Sequence, residues 1–579
     1  MEYQLLTNKD SVECEDLVTQ IFLNRGFEEK DIPHYLNTTE EDILDPNLLN
    51  NIEEGARILL DHVANNKDIF IVPDVDADGF TSAAILINYL YAINPDYARE
   101  HISYCINDGK HHGIVLENIP ENISLAIYPD SASNDYEYHK ILKDKGVQVL
   151  VLDHHEAEYE SPNACVINNQ LCNYPTKSLS GAGIVYKFCC KLDNMLNVNY
   201  ANLFLDLVAL GLISDMVSLK DFETKHLVQT GLSYIRNPFF KQMKTKNSYQ
   251  LGDFLTPTNV AFYITPYINA TIRMGSKSEK QTLFESMLDF KAYEEIPSTK
   301  RGCKGQVETR VEQACRNCTN IKNRQTRARD ASLERIEELI SQNNLLDNKI
   351  LTILLPKEVN FENTLTGLIA NQLMAKYQRP VLLLHERENT YEGSARGCGQ
   401  SLLDDFKAFI TSTNLADYSE GHAQAFGAGF QKSKIEDFIK VSNYQLKDID
   451  FDPCYKVDFI FNGDDFNSND IIKIAELKSL FGQGFEEPYI VIENLTVSKE
   501  NLVLMSKDKN PTLKIKLNNG CSLIRFKSSE EEYEKLYSDL GCVKINVVGR
   551  CERNIWNGMT TAQVIISDYE IIGNQSYYF

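Results

Sequence analysis

The sequence predicts an α/β chain: two α/β domains joined by a long helix, with a small β-barrel closing the chain. Three observations carry this expectation. Four short apolar runs, Ile69–Val72, Leu125–Tyr128, Val147–Leu152 and Leu207–Ile213, have the length of buried strands in a parallel sheet. Helical patterns alternate with these runs as far as Leu219, and again with two runs after Lys349, as βαβ units require. Beyond about residue 450 come short alternating runs, Leu513–Leu517, Ser522–Phe526 and Val543–Val548, which suit a barrel.

In chain order, residues 1–65 read as a helical segment. Val18, Ile21 and Phe22 form an apolar stripe, and the Gly of Asn24-Arg25-Gly26 should stop that helix. Leu48–Val63 is a second amphipathic helix that feeds the first strand. Residues 66–300 form the first α/β domain, mainly helical from 220 onward. Within it, Thr81–Ala92 is a helix starting where the Asp78-Gly79 loop ends, with an N-terminus suited to a phosphate. Residues 301–345 are the connecting helix, with Leu333, Ile336, Leu339 and Ile340 on one face. Residues 346–449 form the second α/β domain, with strands Ile350–Leu355 and Val381–Leu384 around the helix Thr366–Tyr377. Two small-residue clusters, Gly393–Gly397 and Gly421–Gly427, close it. Residues 450–579 make the barrel.

Composition narrows the function. The chain has 579 residues, 43% hydrophobic and 10% aromatic, enough for several large cores. No apolar stretch is long enough to cross a bilayer, and the acidic start lacks the pattern of a signal peptide, so a cytoplasmic protein without a membrane partner is expected. Most of the 14 cysteines then read as buried thiols, and Cys315-Arg-Asn-Cys318, in a helical pattern with no second pair at zinc-ribbon distance, reads the same way rather than as a structural or redox site. A net charge of −24 argues against a nucleic-acid partner at first sight, but net charge says little about local fields. Lys300, Arg301, Lys304, Arg310, Arg316, Lys322, Arg324, Arg327 and Arg329 form a basic stretch, either a solvated helix face or a phosphate track.

The chemistry sits just past the apolar runs. Asp74-Val-Asp76-Ala-Asp78-Gly79, Asp130, Asp153-His154-His155 and Asp215 each follow one, which places them along the sheet edge where α/β folds bind ligands. Converging carboxylates and imidazoles without thiolates suit a pair of divalent cations, Mn²⁺ or Mg²⁺, the equipment for phosphodiester hydrolysis. A second histidine pair, His111-His112, has no comparable run before it and reads as a mobile loop rather than as the alternative, a metal-binding pair. Arg273 and Arg396 are candidate phosphate clamps, and Gly421-His422 allows close backbone approach beside a donor.

Together these residues resemble the DHH phosphoesterase superfamily, and within it the RecJ single-strand-specific exonucleases, from end to end. Asn24-Arg25-Gly26, the Asp74–Gly79 cluster, Asp130, the Asp153-His154-His155 that names the superfamily, and Gly211–Leu219 match its successive motifs. Pro266–Arg273, Gly393–Arg396 and Gly421–Ala423 resemble its substrate-binding motifs. Leu480–Gly484 and Asn554-Ile-Trp556-Asn-Gly558 resemble the oligonucleotide-binding (OB) barrel. Val75, Ser131, Gly397, Glu420 and Phe485 depart from the pattern but leave every expected metal ligand in place.

The resemblance implies a DHH domain, a DHH-associated domain and an OB-like barrel. It implies Mn²⁺-dependent, 5′-to-3′ hydrolysis of single-stranded DNA to mononucleotides, in repair, recombination or replication. Asp74, Asp76, Asp130, His154 and Asp215 would hold two Mn²⁺ ions, with Mg²⁺ as the alternative, and Asp130 would bridge them. His155 and Asp78 would be catalytic. Asn269, Arg273, Ser394, Arg396, Gly421, His422 and Trp556 would bind substrate. A single-strand-binding protein or a helicase are the candidate protein partners, in a bacterial cytoplasm or that of a phage host. Two alternatives stand beside it: a phosphodiesterase of short oligonucleotides or cyclic dinucleotides, and a non-enzymatic scaffold. The barrel disfavours the first and the intact ligand set disfavours the second.

Overall fold

The computed structural model describes residues 1–6, 16–108, 112–252, 254–303, 305–357, 363–398, 403, 405–449, 451, 454–463, 465–506, 511–537, 541–556 and 558–576. They form two compact units. One comprises residues 33–324 with 478–486; the other comprises 1–32, 325–477 and 487–579.

The first unit is built on five parallel strands. Their order across the sheet is Ile102–Tyr104, Ile69–Ile71, Leu125–Pro129, Gln148–Asp153 and Cys165–Asn168. Alternate side chains enter two separate cores, as a sheet covered on both faces requires. Ile69, Ile71, Leu125, Ile127, Leu150 and Leu152 pack with Phe80, Ile184 and Phe188 of covering helices, while Phe70, Val72, Ala126, Tyr128, Val149 and Val151 pack with Ile114 and Leu142. The chain leaves Ile69–Ile71 for its neighbour on one side and returns to Leu125–Pro129 on the other. That reversal opens the crevice where open α/β sheets bind ligands.

Two sequence expectations change in this unit, and an open alternative narrows. The run Leu207–Ile213 is no strand; it is the buried middle of a helix, Leu205–Ser214. A short apolar run fits either form, and this one has three Leu against two β-branched residues, Val208 and Ile213. The helix expected from Thr81 begins at Ala77, and Asp76 caps it by accepting from the Gly79 N–H at 2.9 Å. Its N-terminus thus serves Asp76 rather than a phosphate. The basic stretch is partly paired: Lys300 and Arg316 meet Glu308, and Arg310 meets Glu285 and Glu294. Further along the chain Arg329 meets Asp330, so the solvated, ion-paired face describes the stretch better than a phosphate track.

Residues 478–486, expected in the barrel, complete this unit instead. The Leu219 N–H donates to the Gln483 carbonyl at 2.8 Å. Phe485 is fully buried, edge-on to Tyr35 with ring centroids 5.5 Å apart.

The second unit holds two larger sheets. One runs Ala416–His422, Ala425–Gln431, Thr390–Arg396, Val381–Glu386 and Leu351–Leu355, with the helix Thr366–Tyr377 beside it. The other has seven strands and is dominated by the long hairpin Gly541–Trp556 and Met559–Ser576. Glu2–Leu5, read as helical, is a strand that pairs in parallel with Cys454–Val457. Four residues alternating around one tyrosine are too few to show a period. The connecting helix spans Arg310–Gln342. Among the described residues no helix is long and apolar enough to cross a membrane.

Candidate metal centre

Asp74 and Asp76 leave the strand Ile69–Ile71, and Asp130 leaves Leu125–Pro129, so they meet across the crevice. Asp130 takes a left-handed backbone, φ 66°, and so does Ala132, φ 78°. Such conformations cost energy and cluster at functional sites. Two glycines make room. A Cβ on Gly79 would lie 2.5 Å from the Asp74 Cβ, and one on Gly181 would lie 2.4 Å from Asp130 Oδ1.

Three overlapping sets of ligand atoms gather within 4.8 Å: Asp74, Asp76 and Asp130; Asp130, Asp153, His154 and His155; Asp78, His154 and Asp215. His154 Nε2 lies 3.1 Å from Asp130 Oδ1, and His154 Nδ1 lies 3.7 Å from Asp215 Oδ2. Asp74 Oδ1 and Asp130 Oδ1 are buried without a hydrogen-bond partner. Leaving such atoms unsatisfied is costly unless something else fills the place. Two ligands about 2.1 Å from one cation and at right angles to each other stand roughly 3 Å apart, close to the His154–Asp130 spacing. The oxygen-and-imidazole donor set fits a divalent cation.

The turn that carries the histidines is fixed from behind. Asp153 Oδ1 accepts from the His154 and His155 N–H groups, and its Oδ2 accepts from the Ser133 N–H. Asn168 Nδ2 donates to the His155 carbonyl, and Gln170 Nε2 donates to that of His154. His155 Nδ1 sits 2.7 Å from Asp153 Oδ1, which pushes the imidazole pKa up to about 9. Burial, then the His155 charge, pushes His154 down to about 4, so it stays neutral and able to ligate. Burial and neighbouring carboxylates raise Asp130 well above the usual range and Asp215 to about 8. A site that resists its own negative charge is one that a cation relieves.

Asp78 also has a structural task. Its carboxylate is saturated by the start of the helix Gly181–Leu196: Ser180 Oγ donates at 3.0 Å, the Gly181 N–H at 2.7 Å and the Ala182 N–H at 3.2 Å. It holds that helix against Asp130. Two residues do more than their sequence reading gave them: Asp153, named only as part of its motif, braces the histidine turn, and His112, read as part of a mobile loop, has Nδ1 2.7 Å from Asp74 Oδ2. His111 lies outside the described residues.

The expected substrate residues fall in separate places. Asn269 and Arg273 share one face of the helix Thr265–Met274; Arg273 is exposed, and Asn269 Oδ1 is buried without a partner. In the second unit Arg396 pairs with Ala425, which pairs with His422, so both side chains stand at one end of the sheet, two strands apart. A Cβ on Gly367 would lie 2.6 Å from Arg396 Nη2 and 3.6 Å from Ser394 Oγ. Ser394 and Arg396 thus gather at the first turn of the helix Thr366–Tyr377, a favourable place for an anion. Gly421, at φ 131°, has a backbone that L side chains rarely adopt. Trp556 ends its strand, but its side chain lies outside the described residues.

A family model described as "DHH family, N-terminal domain" matches residues 68–212, and one described as "RecJ OB domain" matches residues 457–568. A putative SPbeta prophage-derived single-strand DNA-specific exonuclease, YorK, of Bacillus subtilis is 35% identical over 99% of this chain and 98% of its own. The single-stranded-DNA-specific exonuclease RecJ of the same species is 24% identical over 95% of this chain and 67% of its own. The crystal structure of RecJ in complex with Mn²⁺ from Thermus thermophilus superposes with a TM-score of 0.68 at 20% identity, covering 95% of this chain and 75% of that one.

Proposed function

Because this chain belongs to the RecJ-like single-stranded-DNA exonucleases of the DHH phosphoesterase superfamily, we propose that it removes nucleotides one at a time from the 5′ end of single-stranded DNA. It is a metal-dependent exonuclease; the polarity, the product and the residue roles are what this reading adds. The observation that carries it is the pair of buried, unpartnered oxygens of Asp74 and Asp130 facing an imidazole and further carboxylates.

Asp74 and Asp76 would hold one Mn²⁺, His154 and Asp215 a second, with Asp130 reaching both, as its membership of two ligand sets supports. Bound divalent cations supply Lewis-acid charge and lower the pKa of a coordinated water to give a nucleophile near neutral pH. His155, cationic and braced by Asp153, donates to the scissile phosphate and stabilises charge on its oxygens. Asp78 positions the helix behind Asp130. Arg273 with Asn269, and Arg396 with Ser394, Gly421 and His422, grip phosphates of the strand. Trp556 and the barrel stack on bases without reading sequence.

Single strands labelled at either end, incubated with Mn²⁺, test this reading. A 5′ label should appear at once as mononucleotide while a 3′ label shortens gradually, and a chelator should stop both. Immediate release of the 3′ label would refute the polarity. Faster turnover of dinucleotides than of long strands would favour the small-substrate phosphodiesterase.

A further inference from the structure

Asn107–Gly113 resembles an ordinary surface loop in sequence, yet it delivers a side chain to the metal centre. The His112 ring is 61% exposed, so packing does not hold it there. Its contact is one hydrogen bond, from Nδ1 to Asp74 Oδ2 at 2.7 Å, and Asp74 itself is only 2% exposed.

The loop is tied down on both sides of the histidine. Buried Asn107 donates from Nδ2 to the Gly113 carbonyl at 3.0 Å and accepts from Asn118 Nδ2 at 2.9 Å. The Ile114 N–H donates to Asp135 Oδ2 at 2.8 Å. Gly113 sits at φ 76°, and a Cβ there would come within 2.3 Å of that same carboxylate, so a side chain next to His112 would break the tether.

A comparison within the site gives the direction of support. Asp153 and His155 form the same pair at 2.7 Å, but there the carboxylate is the fixed partner, since three backbone N–H groups hold it. At Asp74 the order is reversed. The tethered loop supplies the fixed partner, and the second carboxylate oxygen, Oδ1, is buried and unpartnered.

We propose that His112 is a positioning residue: its Nδ1 holds Asp74 Oδ2 so that Oδ1 is presented to the divalent cation. This rests on Asp74 being a metal ligand. A hydrogen-bonded ligand pays less orientational entropy on binding, and loss of such a support typically costs about 10–100-fold in metal affinity.

Calorimetric Mn²⁺ titration of the metal-free full chain tests the assignment with three variants. His112→Ala should weaken Mn²⁺ binding by about 10–100-fold. His112→Asn, which keeps a donor near the Nδ1 position, should restore most of the affinity. His112→Gln, whose amide reaches toward the Nε2 position, should not. The turnover lost in His112→Ala should return as Mn²⁺ is raised, and metal-free melting temperatures should match, because the ring is mostly exposed. Unchanged affinity in His112→Ala would overturn the proposal, as would rescue by Gln but not by Asn. If the unaltered protein binds no Mn²⁺, the ligand reading of Asp74 falls and this inference falls with it.

Discussion

At the residue scale, the five residues proposed as ligands could be singled out in the sequence because each follows an apolar run and belongs to a motif, and the fold places them in three overlapping clusters of candidate ligand atoms. His112 was not. The strand before its loop, Ile102–Tyr104, is a three-residue, half-exposed edge strand with no apolar run to mark it. Asp78 was legible as part of the motif but not in its task, which depends on a helix a hundred residues away. Met216 shows another local cost. It follows Asp215, is 65% exposed and has φ 56°, at the position past a helix end where glycine is favoured; the Val217 N–H reaches back to the Leu212 carbonyl. Met216→Gly should therefore raise stability by about 0.5–1 kcal/mol through relief of left-handed strain. A lower melting temperature would show that the side chain contributes more than its backbone costs.

At the element scale, the runs at Ile69–Val72, Leu125–Tyr128 and Val147–Leu152 gave strands, whereas Leu207–Ile213 became a helix, because an apolar run with no polar face carries no period. The segment 478–486 shows a second limit. A loop of mixed small and aromatic residues does not announce which core it joins, and this one joins the catalytic unit. Phe485 stacks near Phe481 and Tyr35, and Gln483 holds Leu219, four residues beyond Asp215. Phe485→Ala should cost about 3–5 kcal/mol. Because the segment packs on Ser218 and Leu219, just past Asp215, turnover should fall as well. A destabilised variant with full turnover at low temperature would separate the segment from the site.

At the scale of the whole molecule, a chain of net charge −24 concentrates further negative charge in one crevice, and the electrostatics there link fold to function. Without metal, burial and repulsion raise Asp78 to about 7 and Asp215 to about 8, from an ordinary 3.8. Between those values the folded state holds protons that the unfolded chain has released, so these groups lower stability as pH rises from about 4 to about 8. Mn²⁺ removes that penalty, so its gain in melting temperature should be larger near pH 8 than near pH 6. An equal gain at both would mean that the cation binds elsewhere.

The claim on which the rest depends is that Asp130 serves the cations at the centre of the cluster. The direct measurement is single-stranded DNA turnover by Asp130→Asn in saturating Mn²⁺, beside the unaltered protein. The substitution keeps the size of the side chain and removes its charge. Turnover should fall by more than about a hundredfold while metal-free stability holds or rises. A variant that keeps more than about a tenth of the turnover would contradict the account, since the proposed central metal ligand cannot be lost so lightly.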